Sequence, residues 1–497
     1  MIPRKDPGYY PSHRKEPPAP LDDEPHEPSL FTPMYAPLRK IIVMVDENLL
    51  RGGWVSESPR VAVTRLLERP NVWCYRYPIN LDDAHHPLSD SEAWPGRIAL
   101  RKITVHRSDD VLCRSVQHHG EIEYRNGERV VRDYFSGHAD GTRLCQDDDI
   151  RASLVAGTIG VDLYVTERAT LLEQRRWLRH HGHYPSFEPP CYSPQDAVAL
   201  IGLYLRAQGD YTVLGETDPR RVGGPTARKM FYWTGARAIL PTIWRWHVAF
   251  SAGSADAAGA ELCGLAYTVA ERIEEALAER DSMHFALNRD EDSYSRNAVF
   301  RRLENCLQLL LGALDASARI AHAILRTAVG ADEAGPASTV AWHKGKWLKA
   351  LRKRYPDLAF LVARDTPGWH VLTLLRLLRN SIHAESIMNK SNSAIIAWGF
   401  YPLLTLTADP EDELRQALQV LSNETGWTLG QKSPGDTVDP GGFLENLFPL
   451  VVRLLDNLMR HTPIEEVPDI ARRLKSNPKA DVHQPPHLCW QLGITPT

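Results

Sequence analysis

LLRLLRNSIHAES, residues 374–386, sets four polar side chains into an otherwise apolar helical segment: Arg376, Arg379, Asn380 and His383. At about 100° per residue, position 383 lies roughly 40° round from Arg379 and about 20° from Arg376. Asn380 precedes the histidine by three residues, within reach of the same cluster. Two guanidiniums, an amide and an imidazole are costly to bury on a leucine-rich helix unless they have partners or a task. Such a local conflict is the mark of a functional site.

These groups suit phosphodiester chemistry. Histidine exchanges protons near neutral pH, and arginine clamps phosphate and stabilises developing charge. A ribose 2′-OH can then attack its own phosphate without a metal ion. On spacing alone, the competing reading is a helix end whose Arg and His make ordinary structural hydrogen bonds.

RNSIHAE resembles the signature of the HEPN superfamily: an arginine, commonly followed by a polar residue, and a histidine separated from that arginine by about four to six intervening residues. The resemblance implies an all-α, often dimeric domain, and for many members a metal-independent ribonuclease of toxin, abortive-infection or other defence systems. It assigns His383 as general acid/base, Arg379 as phosphate clamp and Asn380 as the orienting amide. Three residues separate Arg379 from His383, fewer than in the family pattern, whereas Arg376 has the permitted separation of six but is followed by Leu377. Either arginine therefore remains a candidate.

Upstream, Phe300, Leu303, Leu307, Leu310, Leu314, Ala321 and Leu325 recur at steps that predict an amphipathic helix of about seven turns. Asp315 and Arg319 form an i,i+4 pair along it. Thr366, Pro367 and Gly368 read as the start of the motif helix. A last helix, GGFLENLFPLVVRLLDNLMRH, closes an all-α bundle near residue 461.

The front half has a different pattern. RKIIVMVDENLL predicts a buried strand ending at Asp46; a helix is expected from about 58 to 68. In CQDDDIRASLVAGTIGVDLYVTERATLLEQ, an aspartate cap opens a small-residue helix near residue 149, and VDLYVT is a strand ending at Thr166 and Glu167. In an open parallel sheet the carboxyl ends of strands border the ligand crevice, and converging carboxylates there can hold one or two divalent metals. This arrangement resembles the PIN-domain nucleases, which implies Asp46, Asp149 and Glu167 as ligands of Mg2+ or Mn2+. Glu57 and Glu68 are candidates for a further acid. Between the two ends lies EIEYRNGERVV, whose Asn126–Gly127 pair signals an inserted hairpin. The competing reading is that Asp147, Asp148 and Asp149 only cap a helix.

A chain of 497 residues with 43% hydrophobic and 24% charged residues buries ample core and divides into two or three domains. A net charge of −4 argues against a general nucleic-acid coat but leaves room for a local basic groove. No apolar run approaches the roughly 20 residues that span a bilayer. The N-terminus lacks the apolar core of a signal peptide. Seven scattered cysteines form no CxxC pair, so no zinc finger or disulfide framework is expected, and a reduced cytoplasmic protein is. Residues 1–37, with ten prolines, read as a disordered tail. The expected order is then a PIN-like α/β domain over 38–208, a helical linker over 209–259, a HEPN-like helical domain over 260–462 and a tail over 463–497.

HKGKWLKALRKRY sets Lys346, Lys349, Arg352 and Lys353 beside Trp347 and Tyr355, which suits a single-stranded RNA path and equally an exposed amphipathic helix. Histidines in EQRRWLRHHGHY read as solvated surface, and Trp233, Trp244 and Trp246 as packing. The combined expectation is an RNA-cleaving nuclease of a bacterial defence or stress system, homodimeric, with a regulatory protein partner possible. Its rival is a non-catalytic module binding RNA, a nucleotide or a protein, carried on a degenerate nuclease-like scaffold.

Overall fold

A computed structural model describes residues 40–50, 58–77, 104–108, 114–116, 121–125, 152, 156, 161–169, 171–172, 191–214, 226–251, 257–287, 293–343, 346–384, 392–396, 399–405, 411–425, 437–438, 440–476 and 486–494. The chain divides into two compact units, residues 2–224 and 225–497. The first is built on a small parallel sheet and the second is mainly helical. Residues 1–37, Asp149, the Asn126–Gly127 pair and the histidines at 180–183 lie outside the described residues.

Strand β1 (Ile41–Asp46) is buried along its whole length, as an uninterrupted β-branched and apolar run requires when both faces of a parallel sheet are covered. It pairs in parallel with β2 (Val72–Tyr77), Ile41 opposite Val72 and Asp46 opposite Tyr77. The three-stranded sheet of β3 (Thr104–Ser108), β4 (Arg114–Val116) and β5 (Glu121–Arg125) is separate. Its antiparallel β4–β5 connection falls before Asn126–Gly127, the predicted hairpin turn. On its other side β1 pairs with β6 (Leu163–Val165), and β6 pairs with β7 (Cys191–Tyr192), giving the parallel order β2-β1-β6-β7. Helix α1 (Pro59–Leu67) links β1 to β2, with the Ser58 hydroxyl accepting from the Arg60 amide and Pro59 in the first turn. Ala152 and Ala156 are helical and fully buried against Met44, Val161 and Tyr164; their small side chains let the helix approach the sheet closely. Helix α2 (Pro194–Ala207) is capped by Ser193 and packs on α1. It stops at Gly209, whose φ of +82° is open to glycine.

The helical unit begins with α3 (Arg228–Ile239) and α4 (Pro241–Ser251), so the expected linker contributes its helices to this body. Its axis is the pair α5 (Ala257–Leu287) and α6 (Ser293–Val329), the two longest helices, packed along one another. All seven apolar positions predicted for α6, from Phe300 to Leu325, are buried. Helix α7 (Trp347–Arg354) and the motif helix α8 (Pro367–Ala384) follow. At the start of α8 the Thr366 hydroxyl accepts from the Trp369 amide, as expected. A Cβ on Gly368 would collide with the Leu361 carbonyl, so only glycine lets that turn close.

The segment after α8 overturns the all-α expectation. Strands β8 (Asn392–Ile396) and β9 (Gly399–Thr405) form an antiparallel hairpin. β9 also pairs with β10 (Thr437–Val438), which follows α9 (Glu411–Thr425). In register, position 395 is opposite 400 and 394 opposite 401; short β-branched and aromatic runs interrupted by Gly399 and Pro402 do not favour a helix. Helix α10 (Pro440–His461) supplies Phe443, Leu447, Phe448, Val451 and Leu455 to the core. The expected C-terminal tail instead forms α11 (Pro468–Ser476) and α12 (Pro486–Gln491), with Leu492 buried against Gly235 of α3.

One buried network ties these parts. Arg280 of α5 holds Glu445 of α10 through two bonds of 2.7 and 2.6 Å and donates a third to the Leu492 carbonyl. His284 lies 2.7 Å from the same carboxylate. Burial by itself would raise the Glu445 pKa, yet Arg280 and His284 hold it well below the ordinary carboxylate range. Removing the carboxylate strands a guanidinium in the core, so Glu445→Ala is expected to lower unfolding free energy by about 3–5 kcal/mol, measured by chemical denaturation.

Candidate functional site

Two places merit functional scrutiny, one in each unit. In the α/β unit, the chain order makes β1 the point where successive strands leave in opposite directions, and its carboxyl end faces the crevice where such sheets bind ligands. Asp46 ends β1 there, 3% exposed. Its carboxylate is already satisfied. The Tyr164 hydroxyl donates to Oδ1 at 2.7 Å and the Thr166 hydroxyl to Oδ2 at 2.6 Å. Arg168 Nε lies 3.2 Å from Oδ2, while the Arg168 backbone amide donates to Thr166. Burial and the Asp46 charge push the Tyr164 hydroxyl pKa up, so it remains a donor.

Glu167 turns elsewhere, into an ion pair with Arg60 of α1. Asp46 and Glu167, expected to share a metal, thus each face a guanidinium, and Asp149 lies outside the described residues. Among the described residues no group of three His, Cys, Asp or Glu is arranged to hold a metal ion. Arg168 thus takes up one side of the Asp46 carboxylate, and Asp46 and Glu167 are each bonded to an arginine among the described residues. Glu68 is paired with Arg65 on the helix surface, and Glu57 is outside the described residues.

In the helical unit, α8 separates its two arginines. Arg376 binds Glu413 of α9 at 2.8 Å, with its Nε buried and without an acceptor. Arg379 is exposed and opens onto a groove of about 1090 Å³ formed by α3, α5 and α6. That volume slightly exceeds the roughly 300–1,000 Å³ of small-molecule pockets. The backbone of α8 is helical to Ala384, so position 383 is one turn beyond Arg379. The side chains of Asn380 and His383 lie outside the described residues.

Sequence reasoning missed most of the groove. Arg272 and Glu274 come from α5, and Arg319 comes from α6, with Arg228 and Lys229 at the start of α3. Glu274 is 7% exposed, and its Oε2 has no hydrogen-bond partner. Burial raises its pKa, Glu275 and Glu271 push the same way, and Lys229 opposes them. The one local signal was Gly312 in the middle of α6, a residue that costs a helix interior about 1 kcal/mol relative to alanine. A Cβ there would collide with the Arg272 guanidinium, which lies across the bare backbone.

The predicted RNA path on α7 keeps its cations outward: Lys346, Lys349, Arg352 and Lys353 are all exposed, and Lys353 pairs with Glu333 at 3.2 Å. Trp347 is 2% exposed and packs on Trp342, with ring centroids 5.3 Å apart. Tyr355 donates its hydroxyl to Glu466. The basic run is therefore an amphipathic helix, and its tryptophan is core rather than a platform for bases. Trp246 is likewise buried, donating to the Met459 carbonyl, and Trp233 stacks on His247.

Compared with known protein families, curated proteins and solved structures, the chain matches none. No helix among the described residues is long and apolar enough to cross a membrane.

Glu274 offers a direct physical test of the groove. Because burial raises its pKa, the folded protein holds that proton more tightly than the unfolded chain, and stability falls as pH rises through the carboxylate range. Glu274→Gln is expected to raise the melting temperature at pH 7. The gain should fade as the pH is lowered below the unfolded glutamate pKa of about 4.3. Calorimetry across that range checks the sign.

Proposed function

We propose that this chain cleaves RNA without a metal ion, at the groove of its helical unit, with Arg379 clamping the reacting phosphate and His383 moving protons. The observation that carries the reading is the division of labour on α8. Arg376 lies on the α9 side, bonded to Glu413, and Arg379 lies on the side of the groove that also contains Arg272 and Arg319. That arrangement favours Arg379 as the motif arginine despite its short spacing to His383, and it supports the resemblance to HEPN ribonucleases. An arginine cluster stabilises the extra charge of a five-coordinate phosphate, and a histidine one helical turn away is at a suitable separation to serve the 2′-OH or the leaving oxygen.

The α/β unit then acts as a scaffold or sensor. Arg168 on Asp46 and Arg60 on Glu167 favour this degenerate, PIN-like role. In the HEPN resemblance two copies of the motif helix share a cleft, so a homodimer belongs to the proposal, as does a defence or stress setting.

The test is cleavage of mixed cellular RNA by the purified chain, with magnesium and with excess EDTA. Cleavage is expected to survive EDTA. Arg379→Ala and His383→Ala should each lower it by about 100-fold or more, with folding unchanged. Cleavage that needs magnesium and disappears in Asp46→Asn, with His383→Ala harmless, would move the chemistry to the α/β unit and sink the proposal.

A further inference from the structure

The groove contains cationic and acidic side chains together, with Asp315 and Glu275 as well as Glu274 among the latter. Arg272 and Arg319 carry no ion pair among the described residues, so the Asp315–Arg319 pair expected along α6 is not formed, and Arg379 opens on the same space. Beside them Glu274 presents a carboxylate that is more than nine-tenths buried, with Oε2 unsatisfied. A simple polyanion would be repelled by that carboxylate, and a simple cation by the guanidiniums. A ligand that satisfies both has an anionic group at one end and N–H donors at the other. A nucleotide has this character, with its phosphate for the arginines and the donor edge of its base for the glutamate.

The glutamate also narrows the base. An ionised carboxylate only accepts hydrogen bonds. Adenine and cytosine offer one amino group, uracil one imino group. Guanine alone sets an imino and an amino donor side by side, matching two carboxylate oxygens. The positioning of Arg272 is built into the opposite helix, since Gly312 leaves the space that its guanidinium occupies. A glycine that weakens a 37-residue helix, at the point where an unpaired arginine crosses it, fits a binding role better than a packing role.

We infer that the groove holds a guanine nucleotide unit, with the base edge on Glu274 and the phosphate on Arg272 and Arg319. The inference rests on the proposed RNA-cleaving reading and adds to it a base preference and the residues that set it. The nucleotide is either a guanosine within single-stranded RNA or a free guanine nucleotide.

Binding and cleavage are measured separately. Equilibrium binding of GMP, IMP and AMP to the full wild-type chain reads the base contact, because IMP keeps the imino donor and lacks the amino group. Short RNA oligomers with and without one guanosine, bound to His383→Ala in EDTA, distinguish RNA from a free nucleotide. GMP or the guanosine oligomer is expected to bind about tenfold or more tightly than its IMP, AMP or guanosine-free counterpart. Glu274→Gln should erase that preference, and the stability measurement above establishes that the variant folds.

Gly312→Ala should weaken every probe about tenfold without lowering the melting temperature, and should add nothing in the Arg272→Ala background. Absence of binding by wild type to all probes, or a preference for guanine unchanged in Glu274→Gln, overturns the inference. So does an effect of Gly312→Ala that persists without Arg272. RNA cleavage that continues with no Glu274-dependent preference would sink only this inference. Guanine-selective binding with no cleavage would leave it standing and sink the nuclease reading.

Discussion

The buried pair between Arg280 and Glu445 is the constraint on which the helical unit depends. It fixes α5 against α10 and, through the Leu492 carbonyl, fastens the end of the chain to both. Apolar packing alone lets two long helices slide by a turn at modest cost, because one leucine replaces another at the contact. A bidentate carboxylate–guanidinium pair at 1% and 3% side-chain exposure does not slide, since any other register leaves a charge in the core without a partner. The register of α5 in turn decides which of its residues face α6. Arg272 and Glu274 reach the groove because Arg280, about two turns further on, is held in place.

The groove stands in contrast to that network. Arg280 and Glu445 satisfy each other; Glu274 sits among Lys229, Glu271 and Glu275 without a hydrogen bond to Oε2. Both are buried carboxylates on the same helical body, and the environments move their pKa values in opposite directions. A protein selected only for stability would replace Glu274 with glutamine or an apolar residue, and Gly312 with alanine. Retaining both leaves the surface poised for a ligand that supplies the missing donors and charges.

What the sequence made legible were the features whose signal is local. The unbroken IIVMVD run, the VDLYVT strand and the three- and four-residue steps along α6 each encode burial within a single window, and the structure has them as β1, β6 and a helix buried at every predicted position. The threonine before α8 and the proline that opens it were equally direct. Arg379 stood out in its leucine-rich window, but the groove it opens on was not legible, because Arg272, Glu274 and Arg319 come from two other helices and each looks like an ordinary surface charge in its own window. The same limitation explains α7: a lysine–tryptophan run has one pattern whether the ring faces bases or, as with Trp347, the core. The strands after α8 are short and contain Gly399 and Pro402, and are easily taken as loop between helices.

Arg168 illustrates how an adjacent residue can change the meaning of a motif. Asp46 and Thr166 stand where a metal-binding strand end would need them, at the carboxyl edge of neighbouring parallel strands. Yet the residue two positions after Thr166 carries its own cation to the carboxylate, 3.2 Å away, while Glu167 is drawn off by Arg60. A guanidinium neutralises Asp46 as a metal would, but offers no open coordination position and cannot lower the pKa of a bound water. At this edge of the parallel sheet the Asp46 and Glu167 charges are therefore balanced by arginines of the same unit. In the helical unit Glu274 has no such counter-charge bonded to it among the described residues, and its unsatisfied Oε2 lies beside the groove that Arg272 and Arg319 also line.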